Sequence, residues 1–378
     1  MSVVRQGGRE QLKEELRSLL NRFETGKKVG LARAISLVEN ERPGFQHFLH
    51  AVLETPRFSS RLGFTGPPGA GKSTLVAALT RAYRDAGEEV GIVAVDPTSP
   101  YSGGALLGDR IRMNDLATDS GIFIRSMATR GSLGGLATTT KEVLDLMDAF
   151  GFPRVMVETV GVGQTELEIT GAADTVVVIL VPESGDAIQA MKAGLMEIAD
   201  IFVVNKADRP GAERLVKDLK LALHLREGEA LKDVPAHHGV DLRRLGTPQE
   251  ALISEEAGEK EASWEIPVLT TVAQSGEGVD ALVEAVAEHR AFLERSGALE
   301  ERRKARAARR VRDVVERELT RQVWKDGRVR ELLRSGVDGI VAGSETPYSL
   351  GGRILDTVLG EEGGGGGEGR DAERKQES

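Results

Sequence analysis

The stretch GPPGAGKST at residues 66–74 constrains the fold of this chain more than any other feature. It follows the apolar run RLGFT and precedes the amphipathic segment STLVAALTRAYRDAG, so it joins a predicted strand to a predicted helix. The spacing GxxxxGK[ST] in that context predicts a phosphate-binding loop, because glycines let backbone amides curl around phosphate oxygens. The predicted phosphate-binding residues are Gly66, Pro67, Pro68, Gly69, Ala70, Gly71, Lys72, Ser73 and Thr74.

Two side chains of this loop are expected to contact the phosphates and the metal ion. Lys72 is expected to place its ammonium group on the β and γ phosphates and to take part in catalysis, and the Ser73 hydroxyl is expected to ligate Mg²⁺. The N-terminus of the following helix adds a partial positive charge. The loop therefore predicts a nucleoside triphosphate bound with Mg²⁺, but it leaves the base open.

Seven short apolar runs alternate with longer amphipathic segments in the region that contains the loop. Most are rich in Val and Ile, and several are apolar without alternation, which is typical of strands buried on both faces. Strands that alternate with helices predict an α/β fold with a doubly wound, mostly parallel sheet, here of the P-loop NTPase class. The predicted strands are RLGFT, EVGIVAVD, GIFIRS, PRVMVE, DTVVVILV, DIFVVN and IPVLTT.

Helical patterns flank this region on both sides. Apolar residues at helical spacing predict a helical extension over residues 1–58 and a helical arm over residues 291–360, with the P-loop domain between them at 59–290. Residues 361–378 combine glycine with charged residues and few apolar ones, so we expect this tail to be disordered.

A dense run of arginines, ERRKARAARRVRD, lies at the start of the predicted arm. It fits a nucleic-acid patch or the solvated face of a long helix, and the interleaved acidic residues favour the second interpretation. The same helix carries an apolar stripe at spacing four, which predicts a partner for one face. The stripe consists of Val311, Val315, Leu319 and Val323.

Composition excludes several classes of protein. The 378 residues carry a net charge of −9, which argues against a nucleic-acid or anionic-membrane partner for the whole chain. There is no cysteine, so disulfides, thiolate metal sites and cysteine nucleophiles are excluded. The first twenty residues lack the apolar core of a signal peptide, and the run Val176–Val181 is too short to span a bilayer. We expect a cytoplasmic location.

The sequence NKAD at residues 205–208 selects the base. Asp208 can accept two hydrogen bonds from guanine N1 and N2, whereas adenine offers no such pair of donors and would leave the carboxylate without partners. The stem of Lys206 can pack on the purine face. After the last predicted strand, Val272, Ala273 and Gln274 are expected to offer an amide to guanine O6. Because Asn205, Lys206 and Asp208 follow the phosphate loop in order and end a strand, we predict GTP rather than ATP.

Further acidic residues follow two other strands. Asp96 and Glu158 stand at predicted carboxyl ends, where ligands bind in parallel sheets, and Asp109 lies in a glycine-rich connection. Glu158 begins an ExxG element in which the acid reaches Mg²⁺ and the amide of Gly161 bonds the γ-phosphate of the triphosphate only, which makes the segment a switch. Ras-like GTPases have a water-positioning glutamine directly after this glycine, but here the residue is Val162. Slow intrinsic hydrolysis is therefore expected, unless Glu158, Gln164 or a partner supplies the missing polar group.

Together these segments resemble the MeaB/ArgK GTPases, the methylmalonyl-CoA mutase-associated chaperones akin to the human methylmalonic aciduria type A protein. The resemblance covers nearly the whole chain to about residue 355. Two of its segments, GDRIRM and KAGLMEIAD, are not general features of GTPases. The quoted segments are the phosphate loop, LARAISLVEN, VDPTSPYSGGALLGDRIRM, VETVGVGQTE and SGDAIQAMKAGLMEIADIFVVNKAD.

The resemblance implies a SIMIBI-type homodimeric GTPase that gates adenosylcobalamin loading and protects or reactivates an acyl-CoA mutase. It implies that Asp96 and Asp109 are switch acids associated with Mg²⁺ and that Glu158 activates water. Gln189 and Lys192 would belong to an additional switch that signals to the mutase, and the C-terminal helices would form a dimerisation arm. Ala187 departs from the family pattern, in which an acidic residue is frequent here.

Three other functions fit parts of the sequence. A kinase of an amino-acid transport system needs an acceptor site, and the sequence identifies none. A nickel-insertion GTPase needs cysteine- or histidine-rich metal sites, whereas this chain has no cysteine and six scattered histidines. A GTPase that targets proteins to ribosomes or membranes is disfavoured by the acidic net charge.

Overall fold

The structure is a computed structural model of the chain. It describes residues 13–55, 57–96, 114–128, 138–159, 168–182, 194–229 and 263–359.

A seven-stranded sheet forms the centre of the molecule, with the strand order β3–β2–β4–β1–β5–β6–β7. Every neighbouring pair is parallel, which confirms the predicted doubly wound fold. All seven predicted strands are present. They are β1 Ser60–Thr65, β2 Val90–Asp96, β3 Ile122–Ala128, β4 Arg154–Glu158, β5 Thr175–Leu180, β6 Ile201–Asn205 and β7 Val268–Thr271.

Helices precede, connect and follow the strands. Within the described residues, no helix combines the length and the apolar composition that a membrane span needs. The helices are α1 Glu14–Glu24, α2 Lys28–Glu39, α3 Phe45–Leu53, α4 Lys72–Asp85, α5 Thr138–Phe150, α6 Leu195–Ile198, α7 Ala212–Glu229, α8 Val279–Arg295, α9 Ala298–Lys325, α10 Gly327–Val341 and α11 Pro347–Leu359, with 3₁₀ turns at Asn114–Leu116 and Ile169–Gly171.

Strand β5 shows why the sheet is buried on both faces. Its residues Thr175–Leu180 are all buried. Val176 and Val178 point into a core shared with α1, α2, α3, α5 and α7, whereas Val177 and Ile179 point into a core shared with α4 and α8. Since neighbouring side chains on a strand face opposite ways, both faces of the strand need apolar residues, and the sequence reads as a continuous apolar run.

The predicted N-terminal extension packs on the sheet domain. The ring of Phe23 in α1 meets Phe150 of α5 edge-on at 5.4 Å between centroids. The chain divides into two compact units, Met1–Arg306 and Ala307–Ser378. The extension therefore belongs to the first unit, and the division falls inside α9.

The start of α9 explains where that division falls. Arg302 donates to both oxygens of Asp200 at 2.9 and 3.0 Å, and Arg306 lies 3.0 Å from Oδ1 of the fully buried Asp174. Asp174 and Asp200 precede β5 and β6, at the amino edge of the sheet. The interpretation of the arginine run as a solvated face is therefore wrong for its first turns, where the arginines form ion pairs with buried carboxylates.

Asp200 is held by side chains from several elements at this amino edge. Burial opposes its ionisation, but the neighbouring His289 and Arg302 side chains outweigh that effect and hold the pKa of the Asp200 carboxyl below its ordinary value. His289 Nε2 lies 3.3 Å from Asp200 Oδ1, while the hydroxyl of Thr175 lies 2.9 Å from the other ring nitrogen. Trp264 Nε1 donates to the Asp200 backbone oxygen at 2.8 Å.

Replacing Asp200 with asparagine is expected to lower the free energy of unfolding by about 2 kcal/mol at neutral pH, because the buried carboxylate that accepts two hydrogen bonds from Arg302 loses its charge. Since the folded-state pKa is lowered, the contribution of Asp200 is fully present above its ordinary pKa of 3.8 and is lost as pH falls through the folded-state value. Urea unfolding over a pH series measures the difference, with the exposed Asp218→Asn as control. A difference that grows on acidification would contradict this sign.

Candidate nucleotide-binding site

The phosphate loop connects the end of β1 to the start of α4. Gly66 has φ 136°, and a Cβ there would overlap the backbone oxygen of Ile179 on β5, so only glycine fits. Lys72 is buried, and its Nζ donates to the carbonyl oxygens of Gly66 and Pro67 at 2.8 and 3.1 Å. The ammonium group thus lies inside the curl of the loop, within reach of a phosphate placed there. Strand β1 lies between β4 and β5, at the switch point where parallel sheets bind ligands.

Ser73 and Glu158 meet behind the loop. The Ser73 hydroxyl donates to Glu158 Oε1 at 2.7 Å, and both residues are only 3% exposed. Ser73 lies in the first turn of α4, and Glu158 ends β4. Two buried oxygen-bearing groups, one of them a carboxylate, form a donor set that suits Mg²⁺, which prefers oxygen ligands. The residues present therefore fit the expected metal.

Asn205 connects three loops of the site. It ends β6 and is buried, and its Nδ2 donates to the carbonyl oxygen of Ala70 in the phosphate loop at 2.8 Å. Its Oδ1 accepts from the Thr271 hydroxyl at 3.0 Å and from the Ala273 amide at 3.1 Å. A Cβ on Gly71 would overlap Asn205 Nδ2, so the glycine is required by this close approach. The predicted phosphate and base motifs are thus in direct contact.

The segment at residues 205–208, which is expected to select the base, leaves β6 in an unusual backbone conformation. Lys206 has φ 57°, which is costly for a residue with a Cβ, and the next amide, of Ala207, donates to the Thr271 backbone oxygen at 3.0 Å. Asp208 is exposed on the turn that follows. Its carboxylate is therefore accessible to a base that stacks at this edge of the sheet.

The turn after β7 contains Val272, Ala273 and Gln274, which are expected to offer an amide to guanine O6. Two of their three backbone amides form hydrogen bonds within the protein. The Val272 amide donates to the Glu277 oxygen at 3.0 Å, and the Ala273 amide donates to Asn205. Within the part of the chain that the structure describes, the Gln274 amide is the one of the three that has no such bond. The Gln274 residue is exposed.

Four of the predicted site residues lie outside the described residues: Asp109, Gly161, Gln189 and Lys192. Val162 and Ala187 also lie there, as do the tail at 361–378 and the first twelve residues. The backbone of Asp96 ends β2 at the same edge as Glu158, as predicted.

Sequence reasoning missed three buried threonines around the site. Thr271 holds Asn205, and the Thr159 hydroxyl donates to the Thr65 hydroxyl at 2.9 Å, directly after β4 and at the end of β1. Each of the three stands beside a motif residue at a strand end. That adjacency was the available signal, but threonine is common in strands and carries no motif of its own.

Several known proteins are similar to this chain over most of its length. The family model described as "Methylmalonyl Co-A mutase-associated GTPase MeaB" matches residues 31–328. The chain belongs to the MeaB family. A putative GTPase of Pyrococcus abyssi is 42% identical over 345 residues, which cover 90% of this chain and 96% of that protein. The mouse protein named methylmalonic aciduria type A homolog, mitochondrial, is 39% identical over 197 residues, which cover 48% of each protein.

One solved structure is similar to this chain over most of its length. A structure described as a LAO/AO transport system kinase has a TM-score of 0.59 and 26% identity, and the match covers 92% of this chain and 99% of that one. The P-loop NTPase fold and the names of the relatives identify this chain as a GTPase. The resemblance read from the sequence is thereby confirmed.

Proposed function

We propose that this MeaB-family GTPase binds GTP with Mg²⁺ at the edge formed by the phosphate loop, β4 and β6. This assignment of the nucleotide site rests on the contacts of Lys72, because its ammonium group already lies among the carbonyls of the curled loop. On binding, it exchanges those carbonyls for β- and γ-phosphate oxygens. Ser73 and Glu158 would hold the metal, which supplies positive charge that offsets the charge of the phosphates.

Hydrolysis at this site is proposed to be slow in the isolated protein. Glu158 is a candidate to orient the attacking water, since its carboxylate ends β4 beside the loop. The residue after the ExxG glycine is Val162, which has no polar group with which to position that water. A partner that supplies or orders such a group would accelerate the reaction.

We infer that this partner is an adenosylcobalamin-dependent acyl-CoA mutase, whose cofactor loading or reactivation the GTPase gates. The description of the family, which names association with methylmalonyl-CoA mutase, supports this role. The name of the mouse relative supports it as well. Signalling by Gln189 and Lys192 belongs to the same proposal. The test is whether a purified mutase from the same organism changes GTP hydrolysis.

The unit Ala307–Ser378 is proposed to pair with a second copy of the chain. Its buried cluster holds only Val329, Leu350 and Ile354 among the described residues, which is little for an independent core. On α9, Val311, Val315 and Leu319 are 65%, 49% and 48% exposed. Exposed apolar residues at spacing four form a face that a symmetric dimer can cover.

Placing aspartates at Val315 and Leu319 together is expected to convert a dimer to a monomer, because two charges would be buried without partners. Light scattering gives the mass in solution, which should fall by half. Val29→Asp is the matched control, since Val29 is 62% exposed on α2 in the other unit. A wild-type protein with the mass of one chain at micromolar concentration would contradict the dimer.

A further inference from the structure

Thr271 stands at the end of β7 and is 1% exposed. Its hydroxyl donates to Asn205 Oδ1 at 3.0 Å, and its backbone oxygen accepts from the Ala207 amide at 3.0 Å. One residue therefore holds both the side chain of Asn205 and the main chain two residues later. No motif includes Thr271, and its side chain faces Asn205 rather than an expected nucleotide contact.

The chemistry of the neighbours fixes which way the Asn205 amide faces. The Ala273 amide can only donate, so it requires the oxygen of Asn205, and the Ala70 carbonyl can only accept, so it requires the nitrogen. The Thr271 hydroxyl adds a second donor on the oxygen side. With both lone pairs of Oδ1 used, the Asn205 nitrogen is directed at the phosphate loop.

A main-chain bond to Thr271 follows a costly backbone conformation at Lys206. Lys206 has φ 57°, and the Ala207 amide that follows it bonds to the Thr271 oxygen. Asp208 is the second residue beyond Lys206, so its position depends on this strained step. Thr271 thus links the segment that carries Asp208 to the amide that touches the phosphate loop.

We propose that Thr271 is a positioning residue of the nucleotide site, which acts through Asn205 to keep the guanine-selecting segment and the phosphate loop in register. This inference rests on the proposed assignment of Asn205 and Asp208 to the guanine base. Thr271 itself contacts neither base nor phosphate. Loss of its hydroxyl lowers the affinity for guanine nucleotides, because the segment that carries Asp208 is then less well positioned.

The decisive variant is Thr271→Val, which keeps the shape of the side chain and removes the hydroxyl. Loss of one hydrogen bond is expected to weaken GDP binding about five-fold. Weak ADP binding should stay unchanged, so the preference for guanine over adenine falls by the same factor. Thr271→Ser keeps the hydroxyl and is expected to restore most of the affinity. Thr271→Ala provides a second variant without the hydroxyl in case the valine variant does not fold.

Thr270→Val is the matched control, because Thr270 lies in the same strand and is exposed. Calorimetry with GDP and ADP measures all variants, and Asp208→Asn is measured alongside. If Asp208→Asn loses GDP affinity while both hydroxyl-free variants stay within two-fold of wild type, the role of Thr271 is overturned and the guanine site stands. If Asp208→Asn has no effect on GDP binding, the guanine-site assignment itself fails, and the Thr271 proposal falls with it.

Discussion

Replacing Lys72 with alanine is expected to reduce kcat/KM for GTP by at least about 100-fold, because the phosphates lose the cation that the loop encloses. The Lys72 ammonium group lies against the loop carbonyls of Gly66 and Pro67, where the phosphates are expected to bind. Phosphate release at saturating and at low GTP separates the loss in binding from the loss in turnover. This is one of the two largest effects that we expect from a single substitution.

Lys220→Ala is the control for that experiment, since Lys220 is an exposed lysine on α7. Thermal unfolding of both variants shows whether the fold is intact, because Lys72 also donates to two loop carbonyls. A folded Lys72→Ala protein that retains more than a tenth of wild-type kcat/KM would show that the nucleotide binds elsewhere.

Asp208→Asn is expected to weaken GTP binding by at least about 100-fold and to favour xanthosine triphosphate. The carboxylate can accept from guanine N1 and N2, and an amide can replace only part of that pattern, whereas xanthine offers an oxygen where guanine has its amino group. Competition between the two nucleotides, measured by calorimetry, gives the change in specificity directly.

Asp280→Asn is the matched control, because Asp280 is an exposed carboxylate at the start of α8. Its nucleotide preference should equal that of the wild type. Unchanged preference in Asp208→Asn, or equal affinity of the wild type for ATP and GTP, would remove the basis for a guanine site at β6.

The fold was predictable because its signals are local. Strand β5 is apolar at every buried position, so its sequence alone reveals burial on both faces. The phosphate loop depends on backbone conformations that glycine supplies, and Gly66, Gly69 and Gly71 all have positive φ. A pattern that acts through the backbone of consecutive residues can be recognised without knowing what packs around it.

The rest of the site depends on contacts between distant residues. Arg302 meets Asp200 across 102 positions of sequence, and no local pattern distinguishes it from the exposed Arg309 and Arg312 later in the same run. Thr271 meets Asn205 across 66 positions in the same way. The Ala273 amide is another example, because its use by Asn205 depends on where β7 ends relative to β6. Such pairings follow from strand order and register rather than from composition.

The proposed role in mutase maintenance is tested most directly by phosphate release from GTP, measured with and without the purified adenosylcobalamin-dependent mutase of the same organism. The GTPase alone should turn over well below the typical enzyme value of about 10 s⁻¹, and the mutase should accelerate it several-fold. Lys72→Ala in the same mixture should release no phosphate above background. Replacing Gln189 or Lys192 with alanine should weaken the acceleration more than the binding. If neither GTP hydrolysis nor transfer of adenosylcobalamin to the mutase responds to the mixture, the chaperone role is contradicted and only the GTPase activity remains.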